Sequence, residues 1–193
     1  MSDSGAPDFA MQRAVEILAN IYEQQRKADD APPPPSDKPI GLFSEIIAFN
    51  VGVTTRADVE KQLGIAFAYP ARGWHTYCVR GARNERLFLS AFYSEQRLAA
   101  AELYLPKVER APNLAPRDIH FRFVPSELTV GMQYAALPEF FGRIASLPSG
   151  VGAYVDMFEA RFPGGAAYAM GNEGIIERLA IYVADSETLP EKH

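Results

Sequence analysis

The chain has 193 residues, 48% of them hydrophobic, and 24 acidic against 19 basic side chains give a formal charge of −5. That content is ample for a packed core, and the negative balance makes a nucleic-acid or anionic-membrane binder unexpected, because phosphate fields reward a basic surface. The single cysteine, Cys78, excludes an intramolecular disulfide and a thiolate metal cage, so stability must come from packing.

Residues 1–5 are acidic and polar, and the apolar residues after them are interrupted by Gln12, Arg13 and Glu16, so no secretory signal is expected. No segment approaches the roughly 20 apolar residues of a membrane span. The chain therefore reads as cytoplasmic, or as periplasmic if an export signal has been removed. Within residues 1–30, Phe9, Met11, Val15, Leu18, Ile21 and Tyr22 recur at helical spacing, which predicts an amphipathic helix over 8–27 with Asp8 as its N-cap. Residues 31–39 are a proline-rich linker, extended and semi-rigid because consecutive prolines lack amide hydrogens. Such a helix either folds back on the body, or pairs with a neighbouring copy as a homodimer, or docks into a groove of another protein.

Residues 41–50 form a short apolar segment that fits helix or strand. Val51-Gly52-Val53-Thr54 follows, and then a helix from about Thr55 with Thr54 as N-cap, Gly64 as its stop, and Val59 and Leu63 as its buried stripe. Strands are expected at residues 74–80, 85–93 and 98–105, separated by turn residues of hairpin length, and they predict an antiparallel sheet. Residues 118–124 alternate as a further strand, with Ile119, Phe121 and Phe123 on one side. Beyond it the pattern recurs. Val130-Gly131-Met132-Gln133 answers Val51-Gly52-Val53-Thr54, and strands are expected at residues 153–162, 166–171 and 175–183. Gly131 corresponds to Gly52 and Tyr182 to Tyr104, with one net deletion between the two copies. The chain thus reads as an α+β protein of two tandem repeats, each with short helices packed on an antiparallel β-sheet. The repeats occupy residues 40–106 and 118–185, joined by a linker at 107–117 and followed by a flexible tail at 186–193.

The phrase Val51-Gly52-Val53-Thr54, a short helix ending in Leu63-Gly64, a strand with Trp74 and Tyr77, and the hairpin residues Phe88-Leu89-Ser90-Ala91-Phe92 and Leu98 resemble the SmpA/OmlA (BamE-like) domain. The wider fold is similar to that of the β-lactamase inhibitor proteins. The match covers most of the first copy and more weakly the second, which has Gln133 in place of the threonine and Pro138 inside its helix. Tandem copies resemble the inhibitor proteins, and the resemblance implies a BLIP-like sheet surface that binds a protein. The export signal, lipid-bearing cysteine and disulfides of those families have no counterpart in this sequence.

No metal motif, phosphate-binding glycine loop or cofactor signature is present, and His75, His120 and His193 are far apart in sequence. His75 and Cys78 lie three apart on one strand and point to opposite faces, so they form no nucleophile pair. Asp156, on an apolar strand, is the alternative, a general base in a small-ligand or enzyme groove between the repeats. The reading adopted is non-catalytic. Phe88, Ser90 and Phe92 are expected to face the helix, leaving Leu89, Ala91 and Tyr93 outward, while Ala101, Leu103 and Leu105 face inward with Leu179, Ile181 and Val183. Glu102, Tyr104, Ala180 and Tyr182 then point outward. Trp74, Tyr93, Tyr104 and Tyr182 are the candidate binding set for an unidentified protein partner, unless these aromatics pack between the repeats or under the N-terminal helix. Arg80, Arg83 and Arg86 are candidates for an acidic partner or an anion, unless they are solvated hairpin residues.

Overall fold

Turn chemistry cuts the two β-rich stretches of the sequence into hairpins. In the computed structural model, which describes residues 36–38, 40–64, 66, 73–81, 83–106, 116–148 and 154–183, each stretch is a three-stranded meander. The first comprises β3 (Trp74–Arg80), β4 (Arg86–Ser94) and β5 (Arg97–Tyr104), and the second β9 (Tyr154–Phe162), β10 (Gly165–Asn172) and β11 (Ile175–Val183). The β4–β5 turn places Glu95 and Gln96 at positive φ, and the β10–β11 turn does the same with Glu173 and Gly174. Two consecutive left-handed residues match the twist of flanking strands, which is why such turns close tight hairpins.

The rest of the chain adds β1 (Gly41–Phe43), β2 (Ala48–Phe49), helix α1 (Arg56–Leu63), β6 (Arg117–His120), β7 (Arg122–Val124) and β8 (Gly142–Pro148). The large sheet runs β6-β3-β4-β5-β11-β10-β9-β8, and the small sheet runs β2-β1-β7. The two meanders join edge to edge through antiparallel β5 and β11, where Glu102 lies opposite Ala180. The large sheet is mixed because β6 pairs parallel with β3, so the expected purely antiparallel sheet is corrected at that edge.

The protein is mostly β, and the helical part of the α+β expectation narrows to one short element. Among the described residues α1 is the one α-helix, held by a capping box in which Thr55 and Asp58 exchange side-chain and backbone hydrogen bonds. The Thr55 hydroxyl, and then its amide, hold the Asp58 carboxyl below its ordinary range. Thr54, expected as the cap, instead spans a backbone turn: its hydroxyl donates to Ala48 O at 2.8 Å and accepts from Asn50 N–H at 2.9 Å. The helix expected after Gly131 is a single 3₁₀ turn at Tyr134–Ala136. Pro138 has no N–H to return to Tyr134 O, and Leu137 N–H makes the shorter bond to it at 2.9 Å. The helix expected over residues 8–27, most of the proline-rich linker, residues 107–115 and the tail lie outside the described residues.

Residues 118–124, expected as one strand, divide at Phe121 between the two sheets, β6 beginning one residue earlier at Arg117. Residues 41–50 are a β1–β2 hairpin, closed by Ser44, whose hydroxyl donates to Ile47 O at 3.1 Å. The small sheet and α1 lie on one face of the large sheet, the core face. There Leu42, Phe49, Phe123, Val59 and Leu63 pack with Leu89, Leu103, Leu179 and Ile181, all fully buried. Leu98 and Ala101 both reach this core because a bulge between Phe92 and Tyr93 shifts the pairing with β5. The same irregularity recurs at the equivalent place in the second meander, between Met170 and Gly171. Two further contacts recur in the same relation. Gly52 N–H donates to Leu98 O as Gly131 N–H does to Ile176 O, and the isolated bridge Thr55–Arg97 is matched by Gln133–Ile175.

Candidate functional site

A strand sends alternate side chains to opposite faces, so the register defines what the large sheet presents on the side away from α1. Three rows cross it. The middle row is Thr76, Ser90, Glu102, Ala180, Tyr168 and Glu159. One flanking row is Trp74, Phe92, Ala100, Tyr182, Ala166 and Arg161, and the other is Cys78, Phe88, Tyr104, Arg178, Met170 and Met157.

This second face therefore gathers Trp74, Tyr104 and Tyr182 from the candidate set. The two tyrosines sit in opposite flanking rows, on opposite sides of the β5–β11 seam. Each is held by an aromatic or cationic neighbour: Tyr182 stacks on Tyr168 at 5.0 Å, Arg178 lies 5.0 Å over the Tyr104 ring, and Trp74 meets Phe92 edge-on at 5.6 Å. Hydroxyls tie the middle row to its flank, Thr76 to Ser90 at 2.8 Å and Ser90 to Tyr104 at 3.2 Å. On the far side Tyr168 O–H donates to Glu159 at 3.0 Å.

Tyr93 is not part of this face, and the expected orientation of β4 is reversed. Leu87, Leu89 and Ala91 belong to the core under α1, and Tyr93 packs against it, whereas Phe88, Ser90 and Phe92 point to the second face. The Tyr93 ring meets His75 at 5.3 Å, and the hydroxyls of Tyr77 and Tyr93 are buried with no hydrogen-bond partner among the described residues. Burial pushes the Tyr77 phenol up to about 12, raises that of Tyr93 further, and lowers His75. Leu105, expected to be inward, lies past the end of β5 and is 39% exposed.

The three arginines do not converge. Arg80 and Arg86 face each other across β3–β4 on the second face, with Arg80 3.7 Å from Asp118 and Arg86 over the Phe88 ring. Arg83 reaches the other way and donates to Gly131 O at 3.1 Å, which ties the β3–β4 hairpin to the 3₁₀ region. Asp156 accepts from Arg143 at 2.5 Å at the sheet margin. His75 and Cys78 lie on opposite faces, and burial raises the Cys78 thiol. Among the described residues no cluster of three His, Cys, Asp or Glu side chains is placed to hold a metal ion, and no helix is long and apolar enough to cross a membrane.

Glu102 is the functional candidate that sequence patterning missed as such. It occupies the centre of the second face, where it is 18% exposed and 3.7 Å from Arg178. Burial raises its pKa, and the Arg178 charge opposes that only in part. The folded protein then binds a proton on Glu102 at pH values where the unfolded chain has released it, so stability falls as pH rises above the ordinary carboxylate value. Glu102→Gln is expected to remove this loss. Urea midpoints at pH 5 and pH 7.5 should lie closer together in the variant than in the natural chain.

The fold and site define a mostly β protein with a polar-centred aromatic sheet face. No family model and no curated protein sequence matches the chain. A solved structure of a cysteine-rich secretory protein from Staphylococcus aureus aligns with 82% of this chain and 48% of its own, at 11% identity and a TM-score of 0.36. The chain thus spans about half the length of that protein.

Proposed function

We propose that the protein is a non-catalytic protein-binding module whose second sheet face receives an amphipathic helix of a protein ligand. The observation that carries the reading is the arrangement of Tyr104 and Tyr182 in flanking rows about Glu102, with Phe88, Phe92, Tyr168 and Trp74 on the same face of the sheet. Aromatic rings present large contact area at low rotamer cost, and an apolar helix face needs such a bed. Glu102 and Arg178 supply a polar centre that fixes the register of whatever lies there. Asp156, the alternative general base, is engaged by Arg143 away from these rows.

In this reading the two meanders are tandem copies of one unit similar to the SmpA/OmlA domain, and their union gives a BLIP-like binding face. The paired bulges, glycine hydrogen bonds and isolated bridges of the two copies support it, as does the seam. Tyr104 pairs with Arg178 and Tyr182 with Ala100, the pattern of a two-fold relation through Glu102 and Ala180.

Tyr104→Ala combined with Tyr182→Ala is expected to weaken partner binding by about 2 kcal/mol or more, the scale of aromatic hot spots. Affinity capture from native extract tests it, using the full chain and a chain lacking residues 1–35, each with and without the two substitutions. Selective loss of a captured polypeptide from the folded variants supports the reading. Equal recovery in both backgrounds removes the second face from consideration.

A further inference from the structure

We infer that the polar cluster beneath α1, formed by Tyr77, Tyr93 and His75 with Arg56 of the helix, is a binding site for a small carboxylate anion. The site lies on the core side of the large sheet and is independent of the second face. Tyr77 is 2% exposed, and its hydroxyl and that of Tyr93 are buried with no hydrogen-bond partner among the described residues. Buried hydroxyls are nearly always paired, so two unpaired ones in one cluster call for a shared acceptor. The cluster is a real neighbourhood: Arg56 and Glu60 act on both phenols and on His75, Tyr77 acts on Tyr93, and the His75 and Tyr93 rings are 5.3 Å apart. Burial raises the Tyr77 phenol to about 12 and that of Tyr93 further, so both are protonated donors at neutral pH.

The second meander shows the same place with a carboxylate of its own. Counted from the paired bulges, His75 opposite Ala91 corresponds to Phe158 opposite Ala169, Tyr77 to Ala160, Tyr93 to Gly171 and Gly73 to Asp156. The Tyr134 ring fills the space over Gly171 and meets Phe158 edge-on at 5.0 Å, as Tyr93 meets His75. Asp156 lies close enough to raise the Tyr134 phenol as a hydrogen-bonding carboxylate does, although the contact falls outside hydrogen-bond geometry, and Arg143 pairs with Asp156. In the first meander a phenol and an arginine are kept, a second phenol and an imidazole are added, and the aspartate position is glycine. Ring packing alone needs no imidazole there, since Phe158 does the same work. Glu60 of α1 accepts from Arg56 Nε at 2.6 Å and bonds neither phenol, while most of the five N–H donors of an arginine remain for another acceptor. The charges acting on the Tyr77 phenol are Arg56 and Arg117 against Glu60, a positive balance that favours an anion. Burial of Tyr77 admits a small ion and not the surface of a macromolecule, and a carboxylate has two oxygens to accept from two phenols.

Sodium acetate is the probe, titrated into the full-length protein at neutral pH against sodium chloride of equal ionic strength. Binding is followed by the His75 ring resonances, assigned with His75→Phe. A saturable shift with acetate and none with chloride is expected, together with a rise in Tm at saturating acetate. Tyr77→Phe combined with Tyr93→Phe should weaken acetate binding at least about tenfold, because hydrogen bonds to a charged acceptor are among the stronger ones. Glu60→Gln should tighten it by removing the opposing charge. The phenylalanine variants lose only unpaired hydroxyls and keep the ring packing, so without acetate their Tm should equal or exceed that of the natural chain. Should the double variant fail to fold, Tyr93→Phe alone is expected to weaken binding several-fold. Acetate and chloride acting alike would mean that water completes the cluster, and that result overturns the inference. Acetate affinity unchanged by the phenol substitutions overturns it too. Neither result bears on the second face, which the Tyr104 and Tyr182 capture experiment tests separately.

Discussion

Leu103→Ala is expected to destabilise the protein by about 2–5 kcal/mol, the range for deleting a fully buried leucine side chain. Leu103 has no exposure, and it pairs with Leu89 on one side and Leu179 on the other, across the seam that joins the two meanders. The row Tyr77, Leu89, Leu103, Leu179, Ala169 and Phe158 crosses the sheet at this level. A cavity there sits in the middle of the core face, with pairing strands on both sides that cannot collapse independently. Urea denaturation of Leu103→Ala, Leu179→Ala and the double variant checks it. Coupling between the two sites should be measurable, because neighbours across a shared cavity are not additive.

Gly171→Ala is the second large effect. A Cβ there would fall inside the contact distance of Ile175 O and meet the Tyr134 ring. The obstruction is backbone in the β10–β11 hairpin, next to the bulge at Met170, so relief requires moving a strand. The expected cost is at the upper end of overpacking, about 3 kcal/mol. Gly164→Ala is the control. Its φ of +82° brings left-handed strain of about 1–2 kcal/mol, but a Cβ meets nothing within 4 Å. Thermal unfolding should show a clearly larger drop in Tm for Gly171→Ala, and equal drops would mean that the β10–β11 register is not as described.

Strands and turns were largely legible from residues alone. The bounds Trp74–Arg80 and Ile175–Val183 follow from alternation and from the turn residues beside them. The facing of β4 was not legible, since Leu87 to Tyr93 is apolar on both sides and alternation then carries no phase. Strand β8 was missed because its apolar residues are few and it ends at Pro148, which an edge strand tolerates. The difference between α1 and the 3₁₀ turn was readable in Pro138, although its consequence was understated. Of the candidate site, Trp74, Tyr104 and Tyr182 share a face through strand parity. The same parity puts Glu102 on the tyrosine side, but parity alone carries no sign that this carboxylate is buried beside Arg178.

The claim that the second face receives a helix is tested most directly by photo-crosslinking from it. A benzophenone amino acid at position 182 in the full-length protein, irradiated with a captured partner, should give adducts that map to a helix of that partner. The same group at position 53, where Val53 is 66% exposed in the turn that precedes α1, should give none. Adducts from position 53 alone, with position 182 reacting only with solvent, would contradict the account.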